Sequence, residues 1–207
     1  MFSFGRIRFF FHPVHLTILL TLVVAGSLRA GSEGVDVCLN EGDAVPEFQA
    51  KTASGDVWKS AEHVGKKYVV VYFYPADLTN GCTQQACAYR DMKEVLESAD
   101  VEVIGISGDS PENHALFTRM HSLNFTLLAD QEGRIAKSFG VPVREGDTIM
   151  RMVDGVEHAF TRGVTASRWT FIIGKDGKIV KKSTAVEPQK DCQIVLETVR
   201  RLTADAE

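Results

Sequence analysis

Tyr68-Val-Val-Val-Tyr-Phe-Tyr74, followed at once by Pro75-Ala-Asp-Leu-Thr79-Asn-Gly-Cys82-Thr-Gln-Gln-Ala-Cys87, is the stretch on which the fold turns. The first seven residues are all β-branched or aromatic. That is too apolar for a half-exposed strand and reads as one covered on both faces. A helix is expected next, because Tyr89, Met92, Val95 and Leu96 recur at helical spacing and give one buried face up to about Ser98. Cys82 and Cys87 then pose a geometric problem. A step of five on a helix turns a side chain by about 140° and climbs about 7.5 Å, which sets the two α-carbons roughly 8 to 9 Å apart. A disulfide needs less than about 7 Å. If both cysteines share a helix and react with each other, that helix must unwind first.

Outward from this stretch, Leu39 to Glu47 is loop-like and Phe48 to Trp58 reads as a small N-terminal hairpin turning at Ser54-Gly55. Val101 to Ser107 is a second buried strand. Ser110-Pro111 supplies an N-cap and a proline at the first helical position, opening a helix to about Ser122. Thr126 to Leu128 reads as a short strand and Glu132 to Phe139 as a short helix. Trp169 to Ile173 and Lys178 to Lys182 form a hairpin around Lys175-Asp-Gly177, and a last helix runs from about Pro188 to Leu202. The stretch Val141 to Ser167, broken up by Gly146, Gly155 and Gly163, is expected to be an irregular surface insertion near the site. The order of elements describes an α/β fold, a central mixed sheet flanked by helices, in one domain over residues 31–207.

The 207 residues carry 23 basic and 27 acidic side chains. The first thirty hold Arg6, Arg8 and Arg29 but no acidic residue, with an apolar run from Leu16 to Ala25 and small residues up to Ala30-Gly31. This is the pattern of a signal peptide over residues 1–30, cut after Ala30, and implies an exported, periplasmic protein. The other reading is an uncleaved membrane anchor, although His12, Pro13 and His15 shorten the apolar stretch below the ~20 residues a span needs. Removal of the leader leaves 20 basic against 27 acidic residues, a balance of −7. An acidic domain with no basic cluster argues against nucleic acid and anionic membrane surfaces as partners. Four cysteines in an exported chain allow several pairings. Cys192 lies on the apolar stripe of the last helix with Val195, Leu196 and Val199, so a small buried hydrophobe is the favoured reading there, over a structural bridge to Cys38.

Placing Cys82 where a buried strand gives way to a helix sets its sulfur among unpaired amide protons and the positive end of the helix dipole, which favours a thiolate. Thr79, three residues earlier, can offer its hydroxyl to the sulfur or to a bound oxygen, or merely cap the helix. Pro75 lacks an amide proton and can wall the pocket from water. With these residues in place the chain resembles peroxiredoxins of the bacterioferritin comigratory, or PrxQ, class. The family's Pro-x-x-x-Thr-x-x-Cys is met by Pro75, Thr79 and Cys82, and its Gly-Cys-Thr-x-x-Ala-Cys by Gly81 to Cys87, continued by Tyr89-Arg90-Asp91. The similarity extends to Gly42-Asp43-Ala-Val-Pro46-Glu-Phe48, Val103-Ile-Gly-Ile-Ser-Gly-Asp-Ser-Pro111, Phe125-Thr-Leu-Leu-Ala-Asp130 and Arg168-Trp-Thr-Phe171. It spans about Leu39 to Leu202.

The resemblance implies a thioredoxin-like fold and a peroxidase without cofactor or metal, acting as a monomer. Cys82 would attack hydrogen peroxide or an organic hydroperoxide and become a sulfenic acid, with Thr79 and Arg168 holding the peroxide. Cys87 would resolve the sulfenic acid to a disulfide, and a thioredoxin or thioredoxin-like exported reductant would restore both thiols. Arg90 is expected to be structural, paired with an acidic neighbour. Tryptophan at 169 departs from the usual small residue and leaves open a reading of Arg168 as a surface arginine on an edge strand. Two rivals share the fold. A copper-binding assembly factor could use two cysteines and His158, but needs thiols spaced for one helical face. A thiol-disulfide oxidoreductase would be expected to carry C-x-x-C, which this chain lacks.

Overall fold

Residue 1 and residues 38–204 are described by the computed structural model, so the leader read at residues 1–30 lies outside the described residues. Strands β1 (Gln49–Thr52) and β2 (Val57–Lys59) form the expected hairpin, Gln49 opposite Lys59. The apolar run becomes β3 (Tyr68–Phe73). Its pleat sends Val70 and Tyr72 to one face and Val69, Val71 and Phe73 to the other, each into a separate buried cluster. Helices α1 (Asn80–Asp91) and α2 (Lys93–Ser98) follow, then β4 (Val101–Ser107), α3 (Pro111–His121), β5 (Thr126–Ala129) and α4 (Arg134–Ser138). Ser110 caps α3 as expected, its hydroxyl accepting from the Asn113 amide at 3.2 Å.

After α4 come β6 (Val143–Val153), β7 (Val156–Ala166), β8 (Trp169–Ile173), β9 (Ile179–Ser183) and α5 (Asp191–Ala204). Seven strands make one mixed sheet in the order β2-β1-β5-β4-β3-β8-β9, with β3, β4 and β5 parallel. Side chains of α1, α3 and α5, including Ala86, Tyr89, Phe117, Val195 and Val199, pack against one face of the sheet. Ile135 and Ala136 of α4 pack against the other. The α/β architecture therefore stands as expected from the sequence. Among the described residues no helix is long and apolar enough to cross a membrane.

Two expectations need correction. The helix carrying the cysteines starts at Asn80 and breaks at Met92, whose φ of −101° and ψ of 6° end one helix and start the next. The break changes the phase of the apolar stripe, so Leu96 stays buried while Val95 is exposed. The second correction concerns Val141 to Ser167, which is a long regular hairpin of two eleven-residue strands and no irregular insertion. Asp154 and Gly155, both with positive φ, make the tight turn whose twist matches the strands. Gly163 lets the arm lie on the body of the protein: its amide donates to the Gly108 carbonyl at 2.9 Å, and a β-carbon there would sit 2.1 Å from the Gln131 carbonyl oxygen. β6 is mostly exposed, and β7 turns the polar His158 and Arg162 inward beside Phe160 and Val164, so the apolar alternation that betrays a strand is missing from the sequence.

All four cysteines are free thiols. Cys192 is buried in the core with its sulfur 3.6 Å from that of Met92, in keeping with the packing role. Cys38 is exposed beside Lys182 Nζ, 3.4 Å away.

Candidate active site

Cys82 occupies the third position of α1 and is only 1% exposed, its sulfur turned toward the core beneath the first helical turn. Thr79 is the N-cap residue, in an extended conformation, so the thiol sits in the first turn of α1, whose leading amides have no partner within the helix. The other half of the site comes from the far end of the chain. β8 runs antiparallel beside β3 with Trp169 opposite Phe73, which puts the link between β7 and β8 next to the turn that leads into α1. Arg168 sits in that link. Its Nη2 donates to Cys82 Sγ at 3.1 Å and its Nη1 donates to Gln85 Oε1. β8 is an interior strand of the sheet, so Arg168 is no edge-strand surface residue. Trp169, the atypical neighbour, packs at a tilt against Phe171 with Lys182 Nζ 4.7 Å over its ring, on the cluster across the sheet from Cys82.

The Thr79 hydroxyl donates to the Ala76 carbonyl at 3.1 Å and makes no side-chain capping bond. Its proton is therefore committed to the loop, and its lone pairs are what it has to offer an incoming O–H group. Pro75 is half-buried and lines a depression with Pro142, Val143, Ala166 and Ser167 at the base of the hairpin arm. Cys87 is half-buried further along the same unbroken helix as Cys82. Arg90, one turn beyond it, is paired with Asp91 at 2.8 Å and donates to the His121 carbonyl at 2.6 Å, the structural role expected of it. The Asp91 hydrogen bond raises its pKa, with a smaller contribution from the neighbouring Cys87.

Beneath Arg168 lies a buried polar network that sequence reasoning missed. Asp191 Oδ2 accepts from Gln85 Nε2 at 2.7 Å, from the Tyr89 hydroxyl at 2.7 Å and from the Thr170 hydroxyl at 2.8 Å. Burial pushes the Asp191 carboxyl above its usual range, while these three donors and the Arg168 charge pull it back down. The arrangement fixes the Gln85 amide so that its oxygen faces Arg168, and Arg168 so that its other arm faces the sulfur. Gln85 lies three residues beyond Cys82 on the inward face of α1, a polar residue in an apolar stripe, and that was the one legible sign. Asp191 at the start of a helix reads as an ordinary dipole-stabilising acid.

The sequence pattern of the AhpC/TSA family matches residues 41–182. The chain belongs to that family. It is 37% identical to the chloroplastic peroxiredoxin Q of Populus jackii over 165 residues, which are 79% of this chain and 70% of the relative. To peroxiredoxin Bcp of Bacillus subtilis it is 33% identical over 162 residues, 78% of this chain and 96% of the relative. Its fold is similar to that of peroxidoxin BcpB from Mycobacterium tuberculosis, with a TM-score of 0.66 and 27% identity over 79% of this chain and 97% of that one. Membership in the family agrees with the thioredoxin-like fold implied by the sequence motifs. His158, the residue that kept a copper reading open, lies on β7 opposite Arg151 in the hairpin arm. Among the described residues no group of three or more His, Cys, Asp or Glu side chains is placed to hold a metal.

Proposed function

We propose that this chain is a thiol-dependent peroxidase for hydrogen peroxide and organic hydroperoxides, with Cys82 as its reacting group. The observation that carries the reading is the Arg168 guanidinium 3.1 Å from a buried sulfur in the first turn of a helix. The Cys82 thiolate attacks the nearer peroxide oxygen, the O–O bond breaks, and sulfur is oxidised to a sulfenic acid while the far oxygen leaves as hydroxide or alkoxide and takes up a proton. Arg168 and the α1 amides stabilise the charge on that leaving oxygen, since both are in place before it develops. Thr79 receives the peroxide O–H, and Pro75 shields the mouth of the site. Once the first turns of α1 open, the Cys87 sulfur attacks the sulfenic sulfur, water leaves, and a Cys82–Cys87 disulfide forms. A dithiol of thioredoxin type then reduces the bridge by exchange.

The basic, apolar and small-residue succession over residues 1–30 supports export, so the reductant is an exported thioredoxin-like protein. The test is rapid mixing of the reduced protein with hydrogen peroxide, followed by peptide mapping of the disulfides. Fast loss of the Cys82 thiol and a Cys82–Cys87 bridge is the expected result. Cys82→Ser should be inactive, and Cys87→Ser should consume one equivalent and stop at the sulfenic acid. Undiminished thioredoxin-driven turnover by Cys87→Ser would remove Cys87 from the resolving role.

A further inference from the structure

The loop that carries Thr79 is held from below by a second buried polar cluster, distinct from the Asp191 network. Asp77 and His114 have no exposed side-chain surface, and His114 Nδ1 lies 2.8 Å from Asp77 Oδ2. Asp77 Oδ1 accepts from the Tyr74 hydroxyl at 2.7 Å, and the Asp77 amide donates to Asp109 Oδ2 at 2.9 Å. Asp109 also accepts from the Ser107 hydroxyl at 2.8 Å and from Asn113 Nδ2 at 3.2 Å, while Asn113 Nδ2 donates to the Thr161 carbonyl of the hairpin arm at 3.1 Å. The end of β4, the start of α3 and the arm thus converge on one loop residue. Burial by itself lowers the His114 pKa, but Asp77, Asp109 and the Leu128 carbonyl outweigh it and the net shift is upward, toward an imidazolium paired with Asp77.

The next residue is under strain. Leu78 has a φ of 55°, a left-handed conformation that costs a non-glycine residue on the order of 1–2 kcal/mol and persists only where its surroundings enforce it. Its carbonyl accepts from Arg151 Nε of the arm at 3.2 Å, and Thr79 closes onto Ala76 on the other side. A strained and clamped segment therefore lies immediately before the helix that has to open for Cys87 to reach Cys82.

We infer that Asp77 and His114 are positioning residues for the peroxide step: their buried pair holds residues 75–79 in the shape that sets Thr79 and the start of α1 around Cys82, and so opposes the opening that resolution requires. This rests on the peroxidase reading above. Loosening the pair acts in opposite senses on the two halves of the reaction, which plain loss of stability does not.

The test uses the full chain, reduced and mixed with hydrogen peroxide, with samples quenched over time and their sulfenic acid and disulfide measured by mass spectrometry. Compared are wild type, His114→Gln, and the double variant Asp77→Asn with His114→Gln, which removes both members of the buried pair. Oxidation of Cys82 should slow by about tenfold in the double variant, equivalent to ~1.4 kcal/mol of lost positioning. Conversion of the sulfenic acid to disulfide should be faster in the double variant, and His114→Gln, which strands the buried Asp77 carboxylate, should move the two steps in the same opposite senses. Equal slowing of both steps, an unchanged peroxide step, or a double variant unable to fold would overturn the positioning role. Failure of wild-type Cys82 to react with peroxide would instead overturn the peroxidase reading on which it rests.

Discussion

On the proposed reading, charge that develops at a sulfur 1% exposed has to be met from inside the protein, and at Cys82 one guanidinium and the first turn of a helix are placed to do so. Arg168→Met removes the guanidinium while keeping its bulk. Loss of one preorganised donor to developing charge commonly costs about 10²- to 10³-fold in rate, and stopped-flow oxidation of Cys82 by hydrogen peroxide should slow by that order. Arg168→Lys should recover little of it, because one ammonium cannot span the sulfur and Gln85 together as the planar fork does. His114 gives a pH-dependent expectation. Its pKa is higher in the folded protein than the ~6.5 of an unfolded chain, so the folded state holds the proton more tightly. The stability this contributes is complete below about pH 6.5 and is lost as the pH rises through the folded-state value. The stability gap between wild type and His114→Gln, measured by urea unfolding, should accordingly be widest below about pH 6.5 and narrow as the pH rises through the folded-state value. A gap that widened with pH would mean that the imidazole is held neutral.

Elements whose burial leaves a periodic trace were legible from the sequence, and those built on exposed or polar residues were not. β3, β4, α3 and the β8–β9 hairpin stand where apolar runs, the Ser110-Pro111 cap and the turn at Lys175-Asp-Gly177 placed them. Cys82 and Thr79 were read from the turn between strand and helix and Arg168 from the resemblance to the family, and the structure brings all three to one end of β3. The hairpin arm escaped because β6 is mostly exposed and β7 turns polar residues inward, and because Gly146 and Gly163 looked like breaks when they were contacts. The Asp191 and Asp77 clusters escaped for a related reason: a buried carboxylate is specified by partners 21 to 106 residues away, for Asp191, and, beside the nearby Tyr74, 32 to 37 away, for Asp77. Gly163→Ala tests the arm as an element. Its β-carbon would fall 2.1 Å from a backbone carbonyl, which no side-chain rotation relieves. We expect a loss of about 1–3 kcal/mol, the usual range for forcing extra atoms into a packed site, read from denaturant midpoints. A neutral result would mean that the arm can lift from the body at little cost.

At the scale of the whole molecule, the two redox forms should differ in stability in the opposite sense to the usual effect of a disulfide. Closing the short loop from Cys82 to Cys87 restricts the unfolded chain by only about 2 kcal/mol in the chain-entropy account. Forming that bridge requires α1 to unwind over its first turns, which withdraws Cys82 and Ala86 from the core shared with α5 and β3. It also breaks the chain of hydrogen bonds from Cys82 through Arg168 and Gln85 to Asp191. Hydrogen bonds to charged groups are worth about 1.5–3 kcal/mol each, so the losses exceed the gain. Asp191 keeps Tyr89 and Thr170, which limits the damage to the end of α1 nearest the site. The disulfide form should therefore melt below the dithiol form by several degrees, at about 2–4 °C per kcal/mol for a chain of this size. Calorimetry of the two forms at one pH decides it. An oxidised protein that melts above the reduced one would mean that the bridge forms without the helix giving way, and the five-residue spacing would then have no conformational step to explain it.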